Sequence, residues 1–176
     1  MNPSSKKKLG FILNTKINAL TFDETIICLK KWVETRESKY VCICNTHSLV
    51  TAYNNKLFFN ALEGADICTP DGMPLVWALK LLGYSEQDRV DGPNLMLALC
   101  DIAAKNSYKI FLYGSTESTL EKLQVSLNKK FPNIQIVGSY SPPFRKLEDF
   151  EVGKTVNMIN NSGANIIFVG LGCPKQ

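Results

Sequence analysis

Short apolar runs alternate along the chain with segments in which apolar residues recur at helical spacing. The runs occupy residues 40–44, 65–68, 109–113, 134–137 and 164–171, and each lies next to a polar or glycine-containing turn. Parallel strands need a crossover connection, which is usually a helix. The alternation therefore predicts the α/β class, with a Rossmann-like, mostly parallel sheet that carries helices on both faces.

The beginning of the chain departs from this alternation. Residues 10–20 indicate one or two short strands with a polar turn, and thus a short N-terminal strand or hairpin element. Thr21 and Glu24 have the spacing of a capping box, so a helix should begin there. Asn54-Asn55 interrupts a later helical segment. Further helices are expected at 74–82, 95–105, 117–130 and 147–160, and a loop is expected at 138–143.

Length and charge limit the possible classes of protein. The chain has 176 residues and a net charge of +4. That length favours one domain, so we expect residues 10–176 to form a single α/β domain behind a basic flexible tail at 1–9. The sequence has no dense basic stripe with interleaved aromatic residues, which argues against nucleic acid as a partner. It also has no apolar run of about 18 residues and no signal-peptide core, so we expect a cytoplasmic protein.

The last apolar run, 164–171, is followed by a glycine-rich turn at which the chain stops. A helix normally follows such a strand in a βαβ fold. We therefore expect either that the chain is truncated there or that the missing part folds elsewhere.

The cysteines and the single histidine bear on redox state and metal binding. No two cysteines form a C-x-x-C pair, and four lie within apolar runs, which is typical of reduced, buried thiols in a cytosolic protein. His47 has no cluster of further ligands around it in the sequence, so we expect no metal site and no cofactor. The cysteines are Cys28, Cys42, Cys44, Cys68, Cys100 and Cys173.

Four turns follow apolar runs and carry the residues suited to a binding site. Because the carboxyl ends of parallel strands meet at one edge of a sheet, these turns should line a single crevice. The candidate binding residues in them are Asn45, Thr46, His47, Gly114, Ser115, Gly170, Gly172 and Gln176, and the candidate catalytic residue is Asp71.

Each of these residues also has an ordinary interpretation. Asp71 is placed to act as a base, but an Asp-Gly turn is usually just a turn. Arg89 could grip a diphosphate through two N–H groups or be a surface charge. His47 could orient a ligand, although a helix cap is the favoured interpretation.

The glycine-rich turns suit phosphate because glycine lets the backbone approach a ligand and helix N-terminal N–H groups favour anions. The turns at Gly114 and Gly170 fit this description, although both could be ordinary tight turns. Neither is a Walker A loop or a full dinucleotide-binding fingerprint. The sequence also lacks D-x-D, the pair of carboxylates that commonly holds a divalent cation on a nucleotide sugar. If a nucleotide sugar binds here, cationic side chains and N–H groups should replace the metal.

A set of short segments follows in a fixed order over residues 41–176. The segments are Asn45-Thr-His-Ser-Leu, Ala65-Asp66, Pro70-Asp71-Gly72-Met73-Pro74, Arg89-Val-x-Gly92-Pro-x-Leu95, Phe111-Leu-x-Gly114 and Val169-Gly170-Leu-Gly172-x-Pro174-Lys-Gln176. Taken together, they resemble the WecG/TagA/CpsF glycosyltransferase family. Two positions depart from the family pattern: Ile43 stands where many members have threonine, and Asn94 stands where aspartate is usual. Members of the family also continue past the P-K-Q segment with a C-terminal appendage, so the resemblance implies that the domain of residues 10–176 lacks this appendage.

The resemblance implies an inverting, metal-independent transfer from a UDP-sugar donor. The sugar would be N-acetylmannosamine, its uronic acid or glucose, and the acceptor a polyprenyl-diphosphate-linked saccharide at the inner face of the cell membrane. The resemblance also assigns Asp71 as the base and Arg89, Asn45 and Gln176 as binding residues. The protein would then be peripheral at the membrane surface; whether it is a homo-oligomer stays open.

Two other classes were compared with this one. Asp71-Gly72-Met73-Pro74 is similar to the D-x-x-M-P of phospho-accepting response regulators, but its spacing is one residue short and no acidic pair ends the first strand. The alternative that stays open is a non-catalytic, nucleotide-binding or regulatory α/β domain.

Overall fold

The structure is a computed structural model that describes residues 8–173. It divides into two compact units, the first ending at Leu95 and the second beginning at Met96. Each unit has its own hydrophobic core. The expectation of one domain over residues 10–176 stays a prediction.

The first unit opens with an antiparallel hairpin of β1 (Leu9–Ile12) and β2 (Thr15–Asn18), which confirms the predicted N-terminal element. Its two-residue turn holds Leu13 at φ 48° and Asn14 at φ 62°. Positive φ at both turn residues is what a tight hairpin with right-handed strand twist requires. The side chain of Asn18 then accepts a hydrogen bond of 2.8 Å from the backbone N–H of Cys68, which ties the hairpin to the next sheet.

That sheet consists of the parallel strands β3 (Val41–Cys44) and β4 (Ile67–Pro70), paired from Val41 with Ile67 to Cys44 with Pro70. All four residues of β4 are buried. The buried core of this unit includes Ile17, Leu49, Leu62, Leu75 and Leu79. The helices of this unit are α1 (Phe22–Thr35), α2 (Thr46–Asn54), α3 (Lys56–Gly64) and α4 (Met73–Leu81), and the last three contribute residues to this core.

Side-chain caps fix where these helices begin. Thr21 accepts a hydrogen bond from the N–H of Glu24, and Glu24 accepts one from the N–H of Thr21, so the predicted capping box is confirmed. The Asn55 side chain accepts from the N–H of Phe58 at 3.1 Å and starts α3. This cap explains why Asn54-Asn55 separates two helices, as predicted.

The second unit contains a three-stranded parallel sheet in the order β6 (Gln135–Tyr140), β5 (Lys109–Gly114), β7 (Ile166–Gly170). Helices α6 (Glu117–Lys130) and α7 (Asp149–Ser162) belong to this unit, and α5 (Gly92–Asn106) runs across the boundary between the units. Its buried core includes Cys100, Ala103, Ile110, Leu112, Leu120 and Leu127.

The α/β class is confirmed, with parallel strands connected by helices. Several predicted boundaries differ from the structure. The parallel strands lie in two hydrogen-bonded sheets, one in each unit. Strand β6 continues through Tyr140, where a loop at 138–143 was expected, because Gly138 leaves room for the Phe111 ring: a Cβ at Gly138 would lie 2.5 Å from Phe111 Cε2. Helix α5 begins at Gly92, three residues earlier than expected.

The six cysteines are free thiols, and Cys44, Cys68 and Cys100 are buried. Cys28, Cys42 and Cys173 are only partly buried, so the prediction of buried thiols is wrong for these three. Burial raises the pKa of the Cys28 thiol. It also raises the pKa of Cys100, to about 11.

Candidate active site

The β3–β4 ladder brings two of the predicted site turns together. Its last pair is Cys44 with Pro70, so Asn45 and Asp71 leave the same edge of the sheet side by side. The Asp71 N–H donates to the Cys44 carbonyl at 2.7 Å. A Cβ built on Gly72 would lie 4.0 Å from Asn45 Cβ. The expectation that these two turns meet is therefore confirmed.

Arg89 forms an ion pair with Asp71 at this edge. Its Nε and Nη2 both donate to Asp71 Oδ1, at 2.9 and 2.8 Å. The Asp71 side chain is 19% exposed and that of Arg89 is 53% exposed. Within residues 8–173, no side chain or backbone N–H hydrogen bonds to Asp71 Oδ2. Arg89 thus holds one oxygen of the carboxylate and leaves the other unoccupied.

The same contact affects the guanidinium. The hydrogen bonds to Asp71 and the negative charge of that side chain raise the pKa of Arg89, so it stays cationic. The sequence predicted both residues in the site but not their direct pairing. A partly exposed cation held beside a carboxylate is able to contact an anionic ligand while it orients Asp71.

The backbone around Arg89 is fastened to the end of β4. The N–H of Val90, which is fully buried, donates to the Pro70 carbonyl at 3.1 Å. Asp91 is 8% exposed, and its Oδ1 accepts the Asn94 N–H at 3.0 Å while its Oδ2 accepts Asn94 Nδ2 at 2.8 Å. A Cβ on Gly92 would lie 3.7 Å from Ile43 Cγ2. The segment that carries Arg89 is therefore held from both sides.

Asp91 was missed by the sequence reasoning. Burial acts to raise the pKa of its carboxyl, but the hydrogen bonds from Asn94 and the charge of Arg89 outweigh burial and lower the pKa. The signal was present: an aspartate three residues before Asn94 is a typical helix N-cap arrangement. The expected helix start at residue 95 placed that arrangement in a loop.

Gly72 lets helix α4 begin directly after Asp71. Its φ of 133° and ψ of 140° are accessible essentially to glycine alone. No side chain caps α4, and Pro74 lies in its first turn. Gly72 thus places the Asp71 side chain beside the N-terminus of α4, whose partial positive charge attracts anions.

Asn45, Thr46 and His47 form the start of α2, and all three are exposed. The Asn45 side chain accepts from the Ser48 N–H at 3.0 Å and from Ser48 Oγ at 3.2 Å. Asn45 is therefore the cap, and the favoured interpretation of His47 as the cap is wrong because His47 already lies within the helix. Contacts of Thr46 and His47 with a ligand stay predictions.

In the second unit, the turns after β5 and β7 meet each other. Gly114 has φ 116°, and a Cβ there would lie 2.6 Å from Gly170 C and O. The N–H of Ser115 donates to the Gly170 carbonyl at 3.1 Å, and the Ser115 carbonyl accepts from Ser141 Oγ at 2.7 Å. Gly114 is thus required by close packing, and the Ser115 N–H already has a partner. Phosphate binding at this turn stays a prediction.

The remaining site residues are divided as follows. Gly172 has φ 77° and lies near the end of the described chain. Gln176 lies outside the described residues. Asn45, Asp71 and Arg89 belong to the first unit and Gly114, Ser115, Gly170 and Gly172 to the second, so the single crevice expected from the sequence stays a prediction.

Two kinds of feature are absent from residues 8–173. No three His, Cys, Asp or Glu side chains in this range are grouped as a metal-binding cluster. No helix in the same range has the length and apolar character needed to span a bilayer.

Comparisons with known proteins agree with the residue pattern. The chain is 27% identical over 145 residues to an N-acetylglucosaminyldiphosphoundecaprenol N-acetyl-beta-D-mannosaminyltransferase of Bacillus spizizenii, covering 82% of this chain and 54% of that protein. It is 28% identical over 137 residues to a protein of the same name from Staphylococcus aureus, covering 78% and 52% respectively. The chain thus spans about half the length of these curated relatives.

The match to a family is broader than either pairwise match. A sequence model described as the Glycosyl transferase WecG/TagA/CpsF family matches residues 11–176, which include both units from the first strand onward. On this match, with Asp71 and Arg89 in direct contact at the end of β4, the chain belongs to the WecG/TagA/CpsF family of glycosyl transferases.

Proposed function

We propose that the chain is the catalytic part of an inverting, metal-independent glycosyltransferase. It moves a sugar of the N-acetylmannosamine type, its uronic acid or glucose from a UDP-sugar to a polyprenyl-diphosphate-linked saccharide. The two relatives, which transfer N-acetylmannosamine by name, favour the first of these sugars. Because the acceptor is linked to a lipid, the protein works at the inner face of the cell membrane.

The observation that carries the proposal is that Arg89 hydrogen bonds to only one of the two carboxylate oxygens of Asp71. Two N–H groups fix Oδ1, and Oδ2 has no hydrogen-bond partner among the described residues. A general base needs one oxygen within hydrogen-bonding reach of the proton that it removes and a fixed orientation. Asp71 meets both needs.

The reaction follows from this geometry. Asp71 Oδ2 removes the proton of the acceptor hydroxyl while that oxygen forms a bond to the anomeric carbon. The bond from the anomeric carbon to the UDP oxygen breaks, and its electron pair leaves with UDP. A single displacement of this kind inverts the anomeric centre, and Asp71 later returns the proton to water.

The leaving UDP gains negative charge, and the cationic Arg89 supports metal independence because it can stabilise that charge. Preorganised donors aimed at developing charge commonly lower a barrier by several kcal/mol. Arg89 is partly exposed and has N–H groups that Asp71 does not use. The same guanidinium would therefore hold the base and face the leaving group.

Our first prediction concerns Asp71→Asn. The amide retains the shape of the side chain but is not a base, so we expect transfer to fall to background while UDP binding stays within about threefold of the unsubstituted protein. Transfer is measured with UDP-N-acetylmannosamine and a polyprenyl-diphosphate-linked N-acetylglucosamine, and binding by titration calorimetry with UDP.

The matched control is Asp23→Asn, which changes an exposed aspartate in the first turn of α1. Transfer by Asp71→Asn at near the unsubstituted rate would overturn the base assignment. The transfer assay is repeated with other UDP-sugars to identify the donor. Each donor is tested with this chain and with a longer one. UDP binding without transfer by any of these would favour the alternative, a non-catalytic nucleotide-binding or regulatory domain.

A further inference from the structure

The position of Arg89 depends on the three residues that follow it. Val90 is buried and hydrogen bonds to Pro70, which fixes the chain on the β4 side. Asp91 fixes the chain on the other side, because its two carboxylate oxygens accept the backbone N–H and the side-chain amide of Asn94. A free arginine side chain loses substantial rotamer entropy when it is held in one geometry. When the backbone of Arg89 is fixed, fewer arrangements of its side chain are lost on binding Asp71, so the entropic cost of the contact is smaller.

Asp91 contributes more than an ordinary helix cap would. Asp91 is a buried residue, 8% exposed, whereas the Arg89 side chain is about half exposed. The positive charge of Arg89 is close enough to act on the Asp91 carboxyl. Arg89 is thus next to two carboxylates: Asp71, which it contacts directly, and Asp91, which holds its backbone.

We propose that Asp91 is a positioning residue of the candidate site: its buried carboxylate holds segment 89–92 so that Arg89 stays on Asp71 Oδ1 and Oδ2 remains open. Asp91 itself does not touch the reacting atoms. The consequence for turnover rests on the proposed function, whereas the consequence for the Arg89–Asp71 contact does not.

The test separates the helix cap of Asp91 from its charge and its second hydrogen bond. Asp91→Asn keeps an oxygen that accepts the Asn94 N–H, a cap about as good as aspartate. It removes the charge and replaces the oxygen that accepts from Asn94 Nδ2 with an amide nitrogen. Asp91→Ala removes the cap as well. Asn94→Ala keeps the backbone N–H and removes only the side-chain amide donor. Asp101→Asn is the control, because Asp101 lies on the same helix and pairs with Lys105 on the exposed surface.

The direct readout is hydrogen exchange of the Arg89 Nε–H measured by NMR, with Arg89→Lys used to assign the signal. We expect exchange about tenfold faster in Asp91→Ala, a factor of the size that a lost N-cap produces. Asp91→Asn should restore the rate to within about threefold of the unsubstituted protein, since the cap is retained. Asn94→Ala should lie between the two, and Asp101→Asn should not change the rate.

Unchanged exchange at Arg89 in Asp91→Ala would overturn the proposal, even if that variant has a lower melting temperature. If Asp91→Ala does not fold, the test uses Asn94→Ala instead. Unchanged exchange of the Arg89 Nε–H in Asn94→Ala would also contradict the proposal. In the transfer assay, kcat should fall about tenfold for Asp91→Ala with little change in KM, which is the pattern of a lost transition-state interaction. If the unsubstituted protein has no transfer activity, the proposed function fails while the exchange measurement still tests Asp91.

Discussion

Gly114 shows how a single residue can be required by packing in a place where the sequence also suggests a ligand. Its φ of 116° is strained for any side chain, and a Cβ would lie 2.6 Å from the backbone of Gly170. We therefore predict that Gly114→Ala lowers the free energy of unfolding by about 1–3 kcal/mol, the usual magnitude for a forced backbone conformation. Denaturant unfolding checks this value.

The control for this prediction is another glycine of the same unit. Gly153 lies inside α7, and a Cβ there has no neighbour within 4 Å. Gly153→Ala should raise the free energy of unfolding by about 0.5–1 kcal/mol, because alanine is the better helix former. If Gly114→Ala were as stable as the unsubstituted protein, the close approach of Gly114 and Gly170 would be wrong.

At the same scale, sequence reasoning identified Asp71, Arg89 and Asn45 but not the way in which they interact. Residue type and position after a strand were enough to select them, because the carboxyl ends of parallel strands are where ligands bind. Two N–H groups of Arg89 donate to the same oxygen, Asp71 Oδ1. This geometry depends on the backbone path of residues 89–92. That path is set by the hydrogen bond from the Val90 N–H to Pro70, which leaves no pattern in the sequence, and by the Asp91 cap, whose spacing to Asn94 is visible there.

Among the elements, the N-terminus of α7 has a pH-sensitive contact. Arg145 donates two hydrogen bonds of 2.7 Å to Glu151, and the Glu148 N–H donates a third of 2.8 Å. The hydrogen bonds from Arg145 are the largest cause that lowers the pKa of Glu151, to about 2. Because the carboxylate is favoured in the folded state, its stabilising contribution is present above pH 4.5, the ordinary value, and is lost as the pH falls toward 2.

We predict that Glu151→Gln removes this part of the pH dependence. The free energy of unfolding of the variant, measured by denaturant titration at a series of pH values, should fall less steeply between pH 4.5 and 2 than that of the unsubstituted protein. Glu121→Gln, on the exposed surface of α6, serves as the control and should leave the slope unchanged. Equal slopes for Glu151→Gln and the unsubstituted protein would contradict the prediction.

Prediction of the elements succeeded at two of the local helix caps, missed the cap of Asp91, and failed at the end of β6, which packing sets. The capping box at Thr21 and the cap at Asn55 are short-range hydrogen bonds, so their positions are visible in the sequence. Strand β6 extends past Gly138 because glycine has no Cβ, so the Phe111 ring can pack beside the strand at this position. A contact between residues that far apart in sequence cannot be inferred from either segment alone.

At the scale of the whole molecule, the open question is whether the two units unfold together. The first core is built around Leu79 and the second around Leu112, and both side chains are buried. Helix α5 crosses the boundary: its first turn is capped by Asp91 in the first unit, and Cys100 lies in the second core. Because a helix is a cooperative element, a continuous α5 should couple the units.

The buried cysteines allow this coupling to be measured. Cys44 is fully buried in the first unit and Cys100 in the second, so the rate at which each thiol reacts with a maleimide, followed by mass spectrometry of peptides, reports opening of its own unit. Leu112→Ala should weaken the second core by about 2–5 kcal/mol. If residues 10–176 form one domain, labelling of both thiols should accelerate by the same factor.

The reciprocal variant, Leu79→Ala, weakens the first core and should give the same equal acceleration at Cys44 and Cys100. Acceleration confined to Cys100 in Leu112→Ala, and to Cys44 in Leu79→Ala, would show two independent domains and would make the one-domain prediction wrong. We expect the equal result, because α5 has residues in both units and a helix forms cooperatively.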